Sequence, residues 1–537
     1  GSRFFRNRGY FVHSLIETVY SQSGMHDKQW KKFIRLWTII LALVLGITAF
    51  FSKGYNHLDE HFQTIELAYY KTGAIDSSRL SWEFPAKMRP WLQPAIYFVI
   101  LKITNTAGIH DPFILAAILR YFSAFLAWFM LSSMMFCAYH FFDEASQRKW
   151  VVYSMVLLSF LPYMFVRTSS ESLSSSFSMI GFAFLILGST PVSAGKFGER
   201  KYSNRLLFIT GVFWGFAFEF RYQVVFLLAG FVFWIFFISI RDKKQAFMQI
   251  LFIFAGIIAV VIPATFLDWW GYGGFTIVPL NYVYQNIFLN KASNFGTMPF
   301  YGYIQLMLGN RRYVLMMFVI LTGSIAGIIR YPKHPFSWGV LLFFVVHSLI
   351  GHKELRFFMN TLIPSLFLMI YGFSPKTEKD TIFKKIWKFR YSIPAMALYL
   401  LNIFILLSYA TGFQSAADIQ FEDYIYHNTK APFRAYAIKT RSFPEPLDYW
   451  FYRPPGLEID ARESFNDIVQ AGKGKKEFFV VVCPPETDMN SLYVPAGYTM
   501  NKEYAYKGRD IYSLTKELLG KKNEELWALY KFTAQDG

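Results

Sequence analysis

The sequence predicts an all-α polytopic membrane protein of 11 to 13 transmembrane helices that ends in a small α+β domain. The first observation behind this is composition: over 537 residues, 54% are hydrophobic, 20% aromatic and only 17% charged, against about 25% charged in ordinary soluble domains. The second is that the apolar residues gather into runs: Leu36–Phe51, Val151–Val166, Phe177–Gly188, Val224–Ile240, Ile250–Phe266, Val314–Ile329, Trp338–Ile350, Phe357–Phe373 and Ile393–Ala410. Most of these suit a hydrocarbon layer of about 30 Å, which a helix crosses in about 20 residues. The third is a change after Ala410 to polar, proline-punctuated sequence containing "EFFVVVCPP", a strand-like run bounded by turn residues.

Taken in order, the first 24 residues lack the apolar core and small-residue cleavage site of a signal peptide, and Met25 is the expected start of the native chain. "MHDKQWKKFIRLW" then places a basic flank before the first span, so residues 1–35 are expected to be a cytoplasmic segment. The basic connections "GKFGERKYSNR", "RDKK", "RYPK" and "KKIWKFR" all fall on that same side if every intervening run crosses. The net charge of +18 follows from these loops, so nucleic acid is not an expected partner and membrane lipids are. Residues 36–411 form the expected membrane domain, with external loops at 52–94 and 268–312, and residues 412–537 an extracytoplasmic domain. Its last stretch, "SLTKELLGKKNEELWALYKF", has helical spacing.

Between Ser52 and Lys149 parity requires an odd number of crossings, yet two apolar runs occur, Ala95–Ile103 and Phe113–Phe142. Either the first is interfacial or re-entrant, or the second hides two short crossings. Two cysteines, Cys137 in an apolar run and Cys483 in the polar tail, do not make a disulfide framework. No Asn-x-Ser/Thr acceptor occurs, which favours a bacterial inner membrane; in a eukaryote the setting would be the endoplasmic reticulum, with a luminal site.

The polar residues too costly for lipid converge on the outer side. "YNHLDEHFQTIELAYY" (Tyr55–Tyr70) follows the first span, Glu83 and Arg89 lie in the same loop, and Arg167, Glu171, Arg221, Asp268 and "HKELR" (His352–Arg356) come later. An acid-rich and a cation-rich segment facing one external cavity make a complementary site, although each residue alone also reads as an interfacial group. His57, Asp59 and His61 at alternate positions are a weak metal-ligand set, so no metal is expected. No phosphate-cradling glycine loop or dinucleotide fingerprint occurs, so no soluble nucleotide donor or cofactor is indicated.

Several of these segments carry a resemblance. "NHLDEHFQTIELAYY" resembles the His-Pro-Asp-Glu segment of the Alg9-like mannosyltransferases, with Leu58 at the proline position. In the same order, "RLSWEF…RPWLQP", "RTSSESL", the loop "LDWWGYGGFTIVPLNYVYQNIFLNKASNFGTMPFYGYI" and "GHKELRFF" resemble further segments of that family, together covering Tyr55 to Phe373. The first segment is most similar to that of the third GPI mannosyltransferases, and bacterial relatives of the family exist.

The resemblance implies a GT-C fold, a polyprenyl- or dolichyl-phosphate mannose donor, and a lipid-linked or extracytoplasmic glycan acceptor. A polytopic lipid-glycan flippase or transporter is the alternative. It would show repeat symmetry or mid-span charge, and only Arg120 lies deep in an apolar run.

Transfer from a lipid phosphate needs a carboxylate to take the acceptor proton and cations to stabilise the leaving phosphate. Asp59 is accordingly expected to be the general base and Glu60 to orient acceptor or loop; the alternative is that both cap the helix starting near His61. His352, Lys353 and Arg356, with Arg221 and Arg89 as helpers, are expected on the donor phosphate, His352 and Arg356 sharing a helix face at four-residue spacing. For the HKELR cluster the alternative is an interfacial anchor. Substrate contacts are expected from His57, Gln63, Glu83, Arg167, Glu171, Asp268, Asn281 and Asn286. The aromatic loop holding the last three is expected to wall off donor from acceptor, with Trp269 and Trp270 as interface anchors.

Overall fold

The computed structural model describes residues 28–535, apart from 193–198, 310–313, 378, 412–416, 430–432, 440–448, 455, 483–486, 488–491 and 507–526. Most of the cytoplasmic segment expected at 1–35 therefore lies outside the described residues, as do Cys483 and part of the loop "GKFGERKYSNR".

Helix α1, Lys28–Phe51, is followed by a segment with a wide π turn, His61–Ile65, that runs into α2, Glu66–Lys71. Then come α3, Leu92–Thr106, and α4, Pro112–Phe141. The 30 residues of α4 form one unbroken helix capped by Asp111. That rules out two hidden crossings within it, and α3, at 15 residues, is short for an ordinary span.

The run Val151–Val166 is divided between α5, Ala145–Leu157, and α6, Leu161–Val166, with Pro162 in the first turn of α6. After α7, Ser170–Leu187, a short hairpin pairs β1, Ser189–Pro191, with β2, Arg200–Tyr202. Helices α8, Asn204–Phe220, α9, Val225–Trp234, and α10, Lys243–Tyr272, follow. Asp268, Trp269 and Trp270 belong to the last turns of α10, so the aromatic loop begins later than the expected 268.

That loop holds α11, Val278–Val283, the π turn Tyr284–Phe288, and α12, Gly302–Gly309. Beyond it lie α13, Val314–Arg330, α14, Pro335–Leu349, α15, Met359–Phe373, the amphipathic α16, Thr381–Phe389, and α17, Ile393–Thr411. Among the described residues seven helical stretches are long and apolar enough to cross a membrane; α13 and α14 meet that test together, bent by 119° at their junction.

The main buried cluster joins α4, α7, α8, α9, α14 and α15 through Phe141, Phe182, Trp214, Phe231, Phe336 and Phe367. Glycines set the spacing of α13 and α14 on their neighbours. A Cβ on Gly327 would lie 2.2 Å from the Leu368 carbonyl oxygen, so α13 is pinned to α15. A Cβ on Gly230 would lie 2.6 Å from the Trp338 carbonyl oxygen, so α14 is pinned to α9. Small residues allow such backbone contact between membrane helices. Because α13 packs mainly on α15 and α14 mainly on α9, they diverge and leave an apolar cleft.

The C-terminal region contains α18, Ala417–Asn428, and a mixed sheet of β3, Phe433–Ile438, β4, Leu457–Arg462, β5, Glu477–Val482, β6, Tyr498–Tyr506, and β7, Trp527–Ala534, with α19, Phe465–Gly472, beside it. The strand order is β4-β3-β5-β7-β6, parallel among the first three and antiparallel about β7. The strand expected at "EFFVVV" is β5. "WALYKF", however, is strand rather than helix; Ser513–Leu526 of the same stretch lies outside the described residues. Trp527, Ala528, Leu529, Tyr530 and Phe532 are all buried, because an inner strand covered on both faces shows a continuous apolar run that periodicity does not separate from a helix.

Candidate active site

The segment after α1 leaves that helix under tight control. Arg167, at the C-terminal end of α6, donates from Nη1 to the Ser52 carbonyl at 2.8 Å and to Ser52 Oγ at 2.7 Å, and from Nη2 to the Gly54 carbonyl. Its Nη2 also lies 3.0 Å from Glu60 Oε1, and this pair is almost wholly buried. Glu60 in turn accepts from the Asn56 N–H. Arg120, the charge noted deep in an apolar run, donates from Nε to the Ala49 carbonyl at 2.8 Å. Two buried arginines thus satisfy the carbonyls that end α1, where cations are favourable, and fix the point from which residues 55–60 project.

Neither Asp59 nor Glu60 caps the following helix. Glu60 sits at the N-cap position without a side-chain cap bond, and the Asp59 carboxylate points across to Arg356, 2.5 Å from Nη2. Arg356 is the centre of the site. Its Nε lies 2.6 Å from Glu354 Oε2, its Nη2 donates to Glu354 Oε1 at 3.0 Å, and its Nη1 is 3.6 Å from Glu171 Oε1. Glu171 also pairs with Arg221 at 3.1 Å. His57 stands 3.6 Å from Asp59 and 3.5 Å from Glu354, and its Nδ1 accepts from the Asp59 N–H at 3.2 Å. His352 bridges Glu354, at 2.9 Å, and the Gly296 carbonyl, at 3.0 Å.

The electrostatics follow. Burial raises the Asp59 carboxyl, but the charges of Arg356 and Arg89, His57 and the Arg356 hydrogen bond outweigh it and hold it at about 2. Glu354 is likewise raised by burial, and Arg356, His352 and His57 bring it down to about 2. Both are ionised at any working pH. Arg89 pairs with Glu83 close by, its guanidinium over Tyr282 of α11.

Of the residues singled out from sequence, Asp59, His57, His352, Arg356, Glu171 and Arg221 therefore come together, with Arg89 and Glu83 beside them and Glu60–Arg167 beneath. Gln63 is buried in the π turn. The others are held elsewhere. Lys353 donates to the carbonyls of Ile350 and, at 3.3 Å, Met298, which ties the two segments together. Asp268 accepts from the Trp91 N–H at 2.8 Å; Asn281 donates to the Lys87 carbonyl at 3.1 Å and Thr276 Oγ1 at 2.9 Å; Asn286 donates to Tyr282 within its own helix at 3.0 Å.

His352 and Arg356 do not share a helix face, since residues 352–354 are non-helical and a 3-10 turn begins only at Leu355. Glu354, a main partner of Arg356, was missed among its cationic neighbours; an acid two residues before an arginine in that cluster was the available signal.

An apolar cavity of about 490 Å³ opens from this site into the cleft between α13 and α14. Arg356 and Asn56 line it along with Tyr163, and from there it runs past Met317, Ile320, Ser324 and Ile328 of α13, Val340 and Phe344 of α14 and Met359 and Leu362 of α15. Arg356 therefore faces carboxylates on one side and the apolar cavity on the other.

The model of the Alg9-like mannosyltransferase family matches residues 37–441. The chain belongs to that family. Mannosyltransferase APTG1 of Arabidopsis thaliana is 24% identical over 340 residues, 61% of this chain and 56% of the relative. GPI alpha-1,2-mannosyltransferase 3 of Homo sapiens is 23% identical over 353 residues, 65% of this chain and 57% of the relative. The chain spans little more than half the length of these relatives. The crystal structure of ArnT from Cupriavidus metallidurans bound to undecaprenyl phosphate superposes with a TM-score of 0.54 at 10% identity, covering 93% of this chain and 98% of ArnT. The fold is thus the GT-C fold of membrane glycosyltransferases.

Proposed function

We propose that the chain is an inverting mannosyltransferase that moves mannose from a dolichyl- or polyprenyl-phosphate donor to a hydroxyl of a lipid-linked or extracytoplasmic glycan. The observation that carries this reading is the apolar cavity that ends on Arg356, itself bonded to Asp59. The cavity-lining residues of α13 run from Met317 to Ile329, about 18 Å at 1.5 Å per residue, room for several isoprene units with the phosphate at the mouth. The undecaprenyl phosphate bound to ArnT supports the same donor class. Because the tail moves from lipid to an equally apolar channel, it adds little driving force, and the phosphate contacts must select the donor.

With Asp59 held at about 2 by its partners, the resting carboxylate is a poor base. Donor phosphate competes for the Arg356 fork, which suits phosphate oxygens; as Arg356 turns to phosphate, an Asp59 oxygen is released and its basicity rises. Asp59 then takes the proton of the acceptor hydroxyl, whose oxygen bonds to mannose C1 while the C1–O bond to phosphate breaks. The lipid phosphate departs with the bonding electrons, stabilised by Arg356 and His352. Glu171 and Arg221 hold Arg356 from behind; Glu60 and Arg167 hold the loop. Lys353 braces the external segments.

The basic connections, read as cytoplasmic, support a site on the opposite face, extracytoplasmic in a bacterial inner membrane or luminal in the endoplasmic reticulum. Incubation of the protein in nanodiscs with labelled polyprenyl-phosphate mannose and lipid-linked glycan acceptors tests the proposal: a product gaining one hexose supports it, and donor neither bound nor consumed refutes it.

A further inference from the structure

The segment Tyr449–Tyr452 of the C-terminal region packs beneath the catalytic loop rather than against its own sheet. Tyr449, Phe451 and Tyr452 are each buried to within 3% exposure, in one cluster with Ile65, Ala68, Tyr97 and Phe113. They surround His61. Its ring stacks on Tyr452 at 5.5 Å with 18° between planes, and meets Tyr449 edge-on at 5.3 Å. Phe62 stacks on Tyr449 at 5.7 Å, and Tyr69 meets Phe451 edge-on at 5.4 Å.

Polar contacts fix the register. Glu66 Oε1 lies 2.7 Å from His61 Nε2 and accepts from the Phe451 N–H at 3.2 Å, so one buried carboxylate ties together the two ends of the π turn and the C-terminal segment. The Tyr449 and Tyr55 hydroxyls share a hydrogen bond at the start of the same loop. Lys53 pairs with Asp423 of α18 at 2.8 Å, and Asp111, the cap of α4, with His427 at 3.0 Å.

π turns carry a costlier hydrogen-bond pattern than α-helix and persist where neighbours enforce them. This one starts two residues after Asp59, with Glu60 as the residue between them.

We infer that Tyr449, Phe451 and Tyr452, acting through the His61–Glu66 pair, are positioning residues that hold Asp59 in register with Arg356; the C-terminal region is thus a part of the catalytic apparatus. The inference rests on the mannosyltransferase reading for its effect on turnover but not for its geometry. Displacements of about 1 Å at a reacting group cost up to about 100-fold in rate.

The test compares full-length wild type, Phe451→Ala, Phe451→Leu, Glu66→Ala and Glu66→Gln in nanodiscs by hydrogen–deuterium exchange. The expected result is that Phe451→Ala and Glu66→Ala lower the protection of residues 56–66 about tenfold or more, with α7, α15 and the β3–β5 strands unchanged, while Glu66→Gln and Phe451→Leu keep most of it. In the transfer assay the two alanine variants lose 10- to 100-fold in kcat with the donor KM unchanged or lowered, since Asp59 then competes less with phosphate for Arg356. Unchanged protection in residues 56–66, or a loss spread evenly over the chain, overturns the inference. Exchange needs no turnover, so a wild type without transferase activity refutes the mannosyltransferase reading while leaving this test intact.

Discussion

Replacing Arg356 by Gln is the perturbation whose consequences the structure defines most fully. Arg356 faces Asp59 at 2.5 Å and Glu354 at 2.6 Å, and both carboxyls are held at about 2 against ordinary values of 3.8 and 4.5 despite the burial that raises them. At about 1.4 kcal/mol per pKa unit, the two pairings represent roughly 6 kcal/mol. Both depend on one guanidinium and both carboxylates keep some contact with water, so a net loss of about 2–4 kcal/mol is expected.

The sign is fixed by linkage. Carboxyls whose folded pKa is depressed stabilise the fold above their unfolded values and lose that contribution as pH falls from about 4.5 to about 2. Thermal inactivation of nanodisc-embedded protein, followed from pH 7 to pH 3, checks this: wild type should lose stability steeply below about pH 4.5. Arg356→Gln should start lower and show a flatter acid limb. Turnover should fall about 10²–10³-fold, the effect of removing one oxyanion donor, with Arg356→Lys recovering only part because a point charge replaces a fork. An acid limb as steep in Arg356→Gln as in wild type, or turnover within threefold, would refute the account of this hub.

Two further outcomes follow from the surroundings of the site. Ser324 lies within the apolar cavity, its hydroxyl bonded to the Ser365 carbonyl at 2.9 Å; Ser324→Phe should raise the KM for long-chain donor about tenfold and change it less for a short-chain analogue, and equal effects on both chain lengths would detach the cavity from the lipid tail. Leu280, Val283, Tyr284, Ile287 and Phe288 form an exposed apolar stripe at helical spacing on the aromatic loop, while Asn281 and Tyr282 face the protein. A fluorophore at position 288, introduced through Phe288→Cys, should therefore be quenched by brominated lipid, and emission typical of bulk water would place the loop outside the bilayer.

How much of this was legible in the sequence differs by kind of feature. Apolar runs and the two signature segments around Asp59 and Arg356 are local patterns, and the structure brings those segments together. What the sequence did not carry were pairings between distant residues. Nothing near Glu60 announces Arg167, 107 positions away, and nothing near His61 announces Tyr452. Lys353 and Arg356 look equivalent as cations, yet two kinds of backbone decide their partners: non-helical chain turns Lys353 to carbonyls, and the 3-10 turn at Leu355 points Arg356 into the site. Asp268 and Asn281 read as sugar contacts because their donors and acceptors look free, whereas in the fold backbone groups use them. The strand at Trp527–Ala534 was misread because burial on both faces erases alternation.

The most direct test of the central claim is transfer by Asp59→Asn in the nanodisc assay, run beside wild type with labelled polyprenyl-phosphate mannose and acceptor. Asparagine keeps the shape of the side chain but not the charge, so the fold should survive, donor should still bind at Arg356, and transfer should fall at least about 10³-fold because no base remains. A folded Asp59→Asn protein that adds hexose to acceptor at a rate near wild type would contradict the assignment of Asp59 as the base.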